Sequence, residues 1–341
     1  SPAAAYALAV ARQPLNADGY IAQANDWLLH GERARAQQAL RQGQTLLPAD
    51  MDLQLAVGQW ELSSADVIRA RAAFSQALAL DQSRADGWLG LAQAWLAAGD
   101  RLQAAQALTQ ALQADPTNPA PWLAYAQGLA AARLPAPDPA ILPPDSTNPA
   151  GGAAPSAVTP GDLYAHAALL NGSVAGPYLG LAGWYQRQGA WPQVTQALDQ
   201  AAAREPANTA IPLARAAAWR QQNRPDLAIA VLTQTLQTSA GAVDVMVALA
   251  DVLTPTATLS PSALLAQALT INPDYLPATL ALAEIEARAG QRPAAIERLS
   301  AALARRPSDV ATATALADLY EAAAQPTAAV AVLQDVQARQ P

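Results

Sequence analysis

Apolar residues recur along this chain at the three- and four-residue spacing of amphipathic helices, in short stretches that turn residues separate. The stretch from 85 to 116 shows the pattern most clearly. One face of a predicted first helix is formed by residues at i, i+3, i+4 and i+7, namely Trp88, Leu91, Ala92 and Trp95. Gly99 and Asp100 predict a turn, because glycine readily adopts the positive φ that ends a helix. The inner face of a predicted second helix follows, at Ala104, Leu108 and Ala111.

Prolines close these helical stretches at a fixed period. They are Pro14, Pro48, Pro116, Pro206, Pro273, Pro307 and Pro341. Gln82 and Ala240 occupy the two places in the series where proline is absent. Most successive positions in this series lie 34 residues apart, with a longer interval between Pro116 and Pro206. A two-helix unit of this length is too small to bury its own apolar face, so neighbouring units must stack. The pattern therefore predicts an all-α solenoid.

The order of residue types within the unit resembles the tetratricopeptide repeat family. That order is Trp, Leu and a small residue, then an aromatic residue, Gly, Ala, a large apolar residue, Ala and Pro. It recurs at Tyr20, Ala24, Trp27, Gly31, Ala36, Leu40 and Pro48, at Tyr178, Leu181, Ala182, Tyr185, Gly189, Leu198, Ala201 and Pro206, and at Leu282, Ala283, Gly290, Ala295, Leu299, Ala302 and Pro307. The resemblance implies a right-handed superhelix whose concave face is lined by the first helices.

Four units match the pattern less well, over 51–82, 209–240, 243–273 and 310–341. In the unit 209–240, Pro212 and Arg215 replace the expected aromatic residue and Leu. The unit 243–273 is one residue short in its turn. Counting these units, the resemblance covers nearly the whole chain as nine repeats and a leading half.

The repeat frame predicts four segments. Residues 1–14 are expected to be the second helix of an incomplete leading repeat, and residues 15–133 to hold repeats and the first helix of a split repeat. Residues 134–160 are expected to be an insertion in a repeat turn, and residues 161–341 to hold the second helix of the split repeat and the remaining repeats. Residues 1–14 show no intact signal peptide.

The insertion 134–160 contains eight prolines and few large apolar residues. Such a segment is expected to be extended and polyproline-like, without a core of its own. Its large apolar residues are Leu134, Ile141, Leu142 and Val158. We expect them to anchor the insertion on the array's own surface or on a neighbouring molecule.

The amino-acid composition argues against several classes of function. Of the 341 residues, 52% are hydrophobic and 14% are charged, and the net charge is −7. An acidic chain lacks the basic stripe that nucleic-acid binding needs. The absence of cysteine excludes disulfides and thiolate metal sites. It is compatible with a cytosolic location and with export to the periplasm or the extracellular space, of which we favour export. No stretch is apolar over the roughly 18 residues of a membrane span.

The sequence shows no motif for catalysis. His30 and His166 lie far apart in the repeat frame and lack the companion ligands of a metal site. Asn171, Gly172 and Ser173 match a glycosylation sequon, but an Asn-Gly pair at this place is more typical of a turn between repeats. We therefore expect a protein that is not an enzyme and has no catalytic residue, cofactor or metal.

The first helices supply the candidate binding surface that the resemblance implies. One lining position is apolar in the N-terminal repeats, at Ile21, Leu55, Leu89 and Leu123. Four residues further on, the chain has amides at Asn25, Gln59, Gln93 and Gln127, and acids in C-terminal repeats at Asp251, Glu284 and Asp318. Amides can pair with the backbone of an extended segment as donor or as acceptor. In the alternative interpretation, the leucines are buried between helices and the glutamines are only solvated.

The eight tryptophans suggest further contacts. We call the places of the repeat pattern its signature positions, the first being the place of Trp88 in the unit 85–116. Five tryptophans occupy signature positions and are expected in the core, namely Trp27, Trp88, Trp95, Trp122 and Trp219. The other three fall beside those positions and are predicted to be partly exposed interface residues, namely Trp60, Trp184 and Trp191.

Two functions are compatible with these patterns. The first is a scaffold that binds protein or peptide segments along the concave face. The second is a structural protein that assembles with itself into head-to-tail filaments or tubes, since a solenoid without polar caps tends to associate. A fragment of a longer repeat protein would also lack caps.

Overall fold

The structure, a computed structural model, describes residues 6, 10–142, 157–253 and 260–339. These residues form helices and connecting turns, and no strand occurs among them. The chain divides into two compact units, residues 1–193 and 194–341. The all-α class predicted from the sequence is confirmed.

Within each unit, the helices follow one another as pairs joined by short turns. The first unit contains α1 (Ala17–Leu29), α2 (Arg33–Leu46), α3 (Met51–Ser63), α4 (Val67–Leu80), α5 (Ala85–Ala97), α6 (Arg101–Ala114), α7 (Pro119–Ala130), α8 (Pro160–Leu170) and α9 (Gly176–Arg187). Helix α10 (Trp191–Arg204) crosses the boundary between the units. The second unit contains α11 (Ala210–Gln221), α12 (Pro225–Thr238), α13 (Val243–Val252), α14 (Pro261–Ile271), α15 (Leu276–Arg288), α16 (Arg292–Arg305), α17 (Val310–Ala322) and α18 (Pro326–Ala338).

Where the structure describes the turn inside a pair, that turn has the left-handed conformation that the sequence predicted for Gly99. Gly99 has φ of 80°, and the next amide, that of Asp100, donates to the Trp95 carbonyl at 3.0 Å. The Asp100 side chain then accepts from the Gln103 amide and caps α6. Ala65 and Asn223 hold the corresponding turn with positive φ in other repeats. A side chain is unfavourable there by about 1–2 kcal/mol, so the surrounding helix pair must impose this turn.

In four repeats of the first unit, a side chain of the first helix is hydrogen-bonded to the residue that closes the repeat before it. In the first unit, the first signature position donates to the carbonyl six residues upstream. The bonds run from Tyr20 to Pro14 (3.1 Å), Gln54 to Pro48 (3.0 Å), Trp88 to Gln82 (2.9 Å) and Trp122 to Pro116 (3.0 Å). Three acceptors are prolines of the periodic series, and the fourth is Gln82, which takes the place of a proline in that series. The contacts between these repeats therefore recur with the same 34-residue period as the turns.

Small residues line the contacts between helices. Ala104 and Ala111 are fully buried where α6 packs against α5, and Leu108 is 1% exposed. In the second unit, α12, α13 and α14 enclose a core that includes Leu232, Met246 and Leu265. An alanine at such a contact allows a close approach of the two helices. The inner positions predicted for the second helix are therefore core positions.

The described ends of the insertion lie on the array's own surface. Leu134, Leu142 and Val158 are buried, and Ile141 is half-buried at the end of a 3₁₀ turn, Pro139–Ile141. The Tyr125 hydroxyl donates to the Pro135 carbonyl at 3.3 Å. The predicted anchoring on the array is thus observed at the first end, and the large apolar residues Leu142 and Val158 are buried as well. Residues 143–156 lie outside the described part of the chain.

Glycine at 128 makes the docking of Leu134 possible. A Cβ atom at Gly128 would lie 2.3 Å from Leu134 Cδ1, which is far inside van der Waals contact. The leucine side chain therefore packs directly on the backbone of α7.

Two further expectations fall partly outside the described residues. Of the leading segment 1–14, Tyr6 and residues 10–12 are helical, and residues 1–5 and 7–9 are outside. The shortened turn of the unit 243–273 includes residues 254–259, which are also outside. These two assignments stay predictions.

We expect Ala104→Leu to lower the free energy of unfolding by about 1–3 kcal/mol, because the larger side chain overpacks a fully buried contact. Urea denaturation followed by circular dichroism measures this. Gln106→Leu is the matched control, since Gln106 is exposed on the same helix. Equal stability of the two variants would contradict the packing described.

We expect Leu134→Ala to release the first end of the insertion, at a cost of up to about 2–5 kcal/mol for a buried leucine. Limited proteolysis should then cut within 134–160 faster than in the unchanged protein. Ile141→Ala is the control, because Ile141 is only half-buried. Unchanged cleavage in the Leu134 variant would mean that this leucine does not hold the insertion.

Candidate protein-interaction surface

The first helices of successive repeats contact each other directly. In the first unit, α1 contacts α3, α3 contacts α5, α5 contacts α7 and α7 contacts α9. In the second unit, α13 contacts α15 and α15 contacts α17. Each unit therefore carries a run of adjacent first helices. We call the predicted positions in the first unit the first-helix face, formed by Ile21, Asn25, Leu55, Gln59, Leu89, Gln93, Leu123 and Gln127.

The apolar residues of the first-helix face are half-buried. All four, Ile21, Leu55, Leu89 and Leu123, have intermediate exposure. Leu55 packs against a buried cluster of Ala70, Phe74 and Ala94. The leucines therefore support the helix contacts, as the alternative interpretation expected, while part of each side chain stays accessible.

The amides of the first-helix face are exposed. Asn25, Gln59, Gln93 and Gln127 each lie one turn beyond an apolar residue of the same helix, and all four are accessible to solvent. Because each amide has donors and an acceptor, it can pair with either polar group of a peptide backbone. The face thus combines partly accessible apolar groups with a row of neutral polar groups.

The three acids predicted for the C-terminal repeats are exposed, and two of them are paired. Arg220 Nη1 lies 2.5 Å from an Asp251 carboxylate oxygen and joins α11 to α13. Arg288 pairs with Glu284 one turn away on α15. These ion pairs offset the negative charge of this surface, so the second unit is less acidic here than the sequence suggested.

The tryptophans depart from expectation at five positions, and Trp60 departs in the direction of burial. Trp60, predicted to be partly exposed, is only 7% exposed. It lies in the core that holds Leu40 and Val57, and its Nε1 has no hydrogen-bond partner among the described residues. Trp60 was assigned to the surface because it lies one position away from the signature pattern. The packing of α3 on the neighbouring helices buries it all the same, so the prediction was wrong.

The remaining tryptophans are mostly half-buried. Trp122 is buried, as predicted, and Trp184 and Trp191 are partly exposed, as predicted. The other four tryptophans predicted for the core have intermediate exposure, so that prediction was wrong for Trp27, Trp88, Trp95 and Trp219. These indoles are too large to be covered completely by the neighbouring helices of a thin array.

Arginines lie over the rings of Trp60, Trp184, Trp27 and Trp95, and the contacts with the last two are the shortest. Arg71 Cζ lies 3.9 Å from the ring centre of Trp95, and Arg35 Cζ lies 4.7 Å from that of Trp27. Sequence spacing alone did not reveal these last two cation–π contacts, which join residues of different helices.

The two histidines have different surroundings. His30 follows the last residue of α1, and its Nδ1 lies 2.8 Å from the Asp26 carbonyl oxygen. His166 is 7% exposed on α8, and its ring meets that of Trp122 edge-on with 4.3 Å between ring centres. Its Nδ1 has no hydrogen-bond partner among the described residues. Burial lowers the pKa of His166, because the charged imidazolium would lose its hydration.

The described ranges contain no group of three or more residues with metal-ligand chemistry. Within the same ranges, no helix has the length and apolar character needed to cross a membrane. The sequon residues form a turn, as expected, in which the Asn171 side chain accepts from the Ser173 amide at 3.2 Å.

Comparison with solved structures agrees with this architecture. The chain is similar to yeast Tom70 (TM-score 0.61, 15% identity, 94% of this chain and 61% of that chain). It is also similar to a chain of the APC/C hetero-tetramer Cut9–Hcn1 (TM-score 0.51, 19% identity, 82% of this chain and 51% of that chain). A tetratricopeptide repeat protein from Parabacteroides merdae matches with a TM-score of 0.53 and 12% identity, over 78% of this chain and 97% of that chain.

The fold is therefore that of a tetratricopeptide repeat solenoid, and the resemblance seen in the sequence is confirmed at the level of the fold. The chain spans 61% of the Tom70 chain and 51% of the Cut9–Hcn1 chain that it matches. No protein family profile matches the sequence. No curated relative matches it either.

We expect His166 to make stability depend on pH below neutrality. Its pKa is lowered in the folded state from 6.5, so the unfolded chain binds the proton more readily. This contribution to stability is fully present above about pH 6.5 and decreases as the pH falls below that value. His166→Phe, which keeps a ring against Trp122, should reduce the fall in melting temperature between about pH 7.5 and pH 5.5.

The control for this measurement is His30→Gln, since the His30 side chain is 62% exposed. The range stops near pH 5.5 because carboxylates titrate mainly below about pH 5. The same pH dependence in the unchanged protein and the His166 variant would show that burial of this imidazole has no effect on stability.

Proposed function

We propose that this chain is a non-enzymatic scaffold that binds extended segments of partner polypeptides along the first-helix face. The observation that carries the proposal is the row of exposed amides, Asn25, Gln59, Gln93 and Gln127, on helices that contact one another in order. Each of these repeats contributes one amide to the row, beside an apolar residue that is only half-buried.

The spacing of the helices suits an extended segment. Packed helices lie about 8–10 Å apart, and a strand rises by about 3.3 Å per residue. One repeat therefore corresponds to roughly three residues of bound chain. Amides at this interval can pair with backbone groups without requiring a particular sequence, while the half-buried leucines favour apolar side chains between the pairs.

The neighbours in structure support a role in binding proteins in general terms. One of them is a chain of a hetero-tetramer, Cut9–Hcn1. The identity of 19% or less limits that support to the shared architecture. The proposal for this chain therefore depends on its own surface residues.

We expect the triple variant Gln59→Ala, Gln93→Ala and Gln127→Ala to lose binding to peptides that are selected against the unchanged protein. The peptides come from a random display library, and titration calorimetry measures the affinity. Three lost hydrogen bonds at about 0.5–1.5 kcal/mol each predict a fall in affinity of at least roughly tenfold. The melting temperature should not change, because the three side chains are exposed.

A matched control places the same substitutions on second helices, at Gln38, Gln76 and Gln110, which are also exposed. This control triple should bind the selected peptides as the unchanged protein does. Failure to select any peptide, or equal loss in the two triple variants, would contradict the proposal.

Assembly of the chain with itself stays a prediction from the sequence. Light scattering over a concentration series distinguishes it from partner binding. An apparent mass that does not change with concentration is the result expected for a scaffold that acts as a single chain.

A further inference from the structure

A cavity of about 500 Å³ lies in the second unit between α11, α12 and the end of α10. Its apolar walls come mainly from Ala202, Ile211, Pro212 and Val231, and the rest of the lining includes Pro206, Arg215 and several polar residues. Pockets that hold small organic groups measure about 300–1,000 Å³, so this cavity is large enough for one side chain and its backbone. None of the residues that line the cavity is aromatic.

The cavity lies where the equivalent repeats of the first unit place an aromatic ring. Pro212 occupies the first signature position, which is Trp88 or Trp122 in those repeats. Both indoles donate to the carbonyl six residues upstream, at 2.9 and 3.0 Å. Six residues before Pro212 is Pro206, and proline at 212 has no group that could donate to its carbonyl. The repeat 209–240 therefore keeps the acceptor and the space but lacks the ring.

Another repeat of the second unit fills the same place in a different way. Thr279 holds the first signature position there, and the cavity beside it measures only about 10 Å³. Arg305 and Arg306 occupy the space, and Arg305 Nη2 donates to the Pro273 carbonyl at 3.4 Å. The residues at the corresponding places of the repeat 209–240 are Thr238 and Ser239, which are too short to do so. The large cavity thus follows from three residues: Pro212, Thr238 and Ser239.

The lining suits an indole in particular. The Arg215 guanidinium is held at 2.7 Å from an Asp199 carboxylate oxygen and is one-third exposed. Elsewhere in this chain arginines lie over indole rings, at 3.9 Å for Arg71 on Trp95. A ring in the cavity would combine apolar contact with Ile211 and Val231, the cation of Arg215 at its face, and an N–H donor for the Pro206 carbonyl.

We propose that this cavity, defined by Pro206, Pro212, Arg215, Val231, Thr235 and Thr238, is a binding site for a tryptophan side chain of a partner polypeptide. The inference rests on the proposed function as a scaffold and adds an anchor point in the second unit. The partner's indole takes the position that the chain's own signature residue holds in other repeats. Large aromatic anchors in a pocket contribute much of the affinity of protein interfaces.

The test uses N-acetyl-tryptophanamide as the probe and ligand-observed NMR with the full chain as the measurement. We expect saturable binding, and binding weaker by roughly 2- to 10-fold for the 1-methyl derivative, which lacks the N–H donor. N-acetyl-leucinamide, which has no ring, should bind more weakly than either.

Pro212→Trp restores the signature residue and should fill the cavity. We expect this variant to lose probe binding and to melt at a higher temperature. Gln221→Trp, at an exposed position of the same helix, is the matched control and should bind the probe unchanged. Arg215→Gln gives a second variant if the first does not fold, and it should weaken binding while leaving the cavity open.

Absence of saturable binding, or full binding in a folded Pro212→Trp variant, would overturn the site. So would equal affinity for the methylated and unmethylated probes together with unchanged binding by Arg215→Gln. The triple variant of the first-helix face lies in the other unit and should bind the probe normally. Failure of the tryptophan site and failure of the proposed scaffold function are therefore distinguishable, because peptide selection tests only the latter.

Discussion

Close packing between neighbouring helix pairs is the constraint on which the other features of this protein depend. A single pair of helices cannot bury its apolar face, so every repeat relies on the next one for its core. The contact is possible because alanines such as Ala104 and Ala111 are fully buried where the helices approach. The hydrogen bonds from the first signature position to the proline series then join one repeat to the next. The packing that stabilises the array is therefore also what requires the 34-residue period of the sequence.

This arrangement leaves one side of each first helix available. A helix that packs against its neighbours on both sides still exposes the residues that point away from them. Gln59 and Gln93 are exposed for this reason, while Leu55 is held half-buried against Phe74. The candidate surface is a consequence of the packing, and its chemistry is free to vary from repeat to repeat. Amides in the first unit give way to ion-paired acids in the second.

Departures from the repeat pattern mark the places where this chain differs from a regular array. The insertion adds a proline-rich segment whose described ends are buried through Leu134, Leu142 and Val158. The replacement of an aromatic residue by Pro212 opens a cavity that the equivalent position at Thr279 does not have. Both features arise where the sequence departs from the repeat pattern.

The sequence by itself determined the all-α fold, the 34-residue unit and the turn at Gly99. These depend on local spacing and on the backbone preferences of glycine and proline, which a single repeat already contains. It also indicated which helix positions form the inner face, as the burial of Leu108 bears out.

Only the tertiary structure decided how much of each position is accessible, because burial depends on helices that are distant in the chain. Trp60 is buried although its place in the pattern suggested exposure, and Arg71 stacks on Trp95 from another helix. The cavity beside Pro212 likewise depends on the lengths of Thr238 and Ser239 on a second helix. Such contacts join residues whose spacing carries no periodic signal.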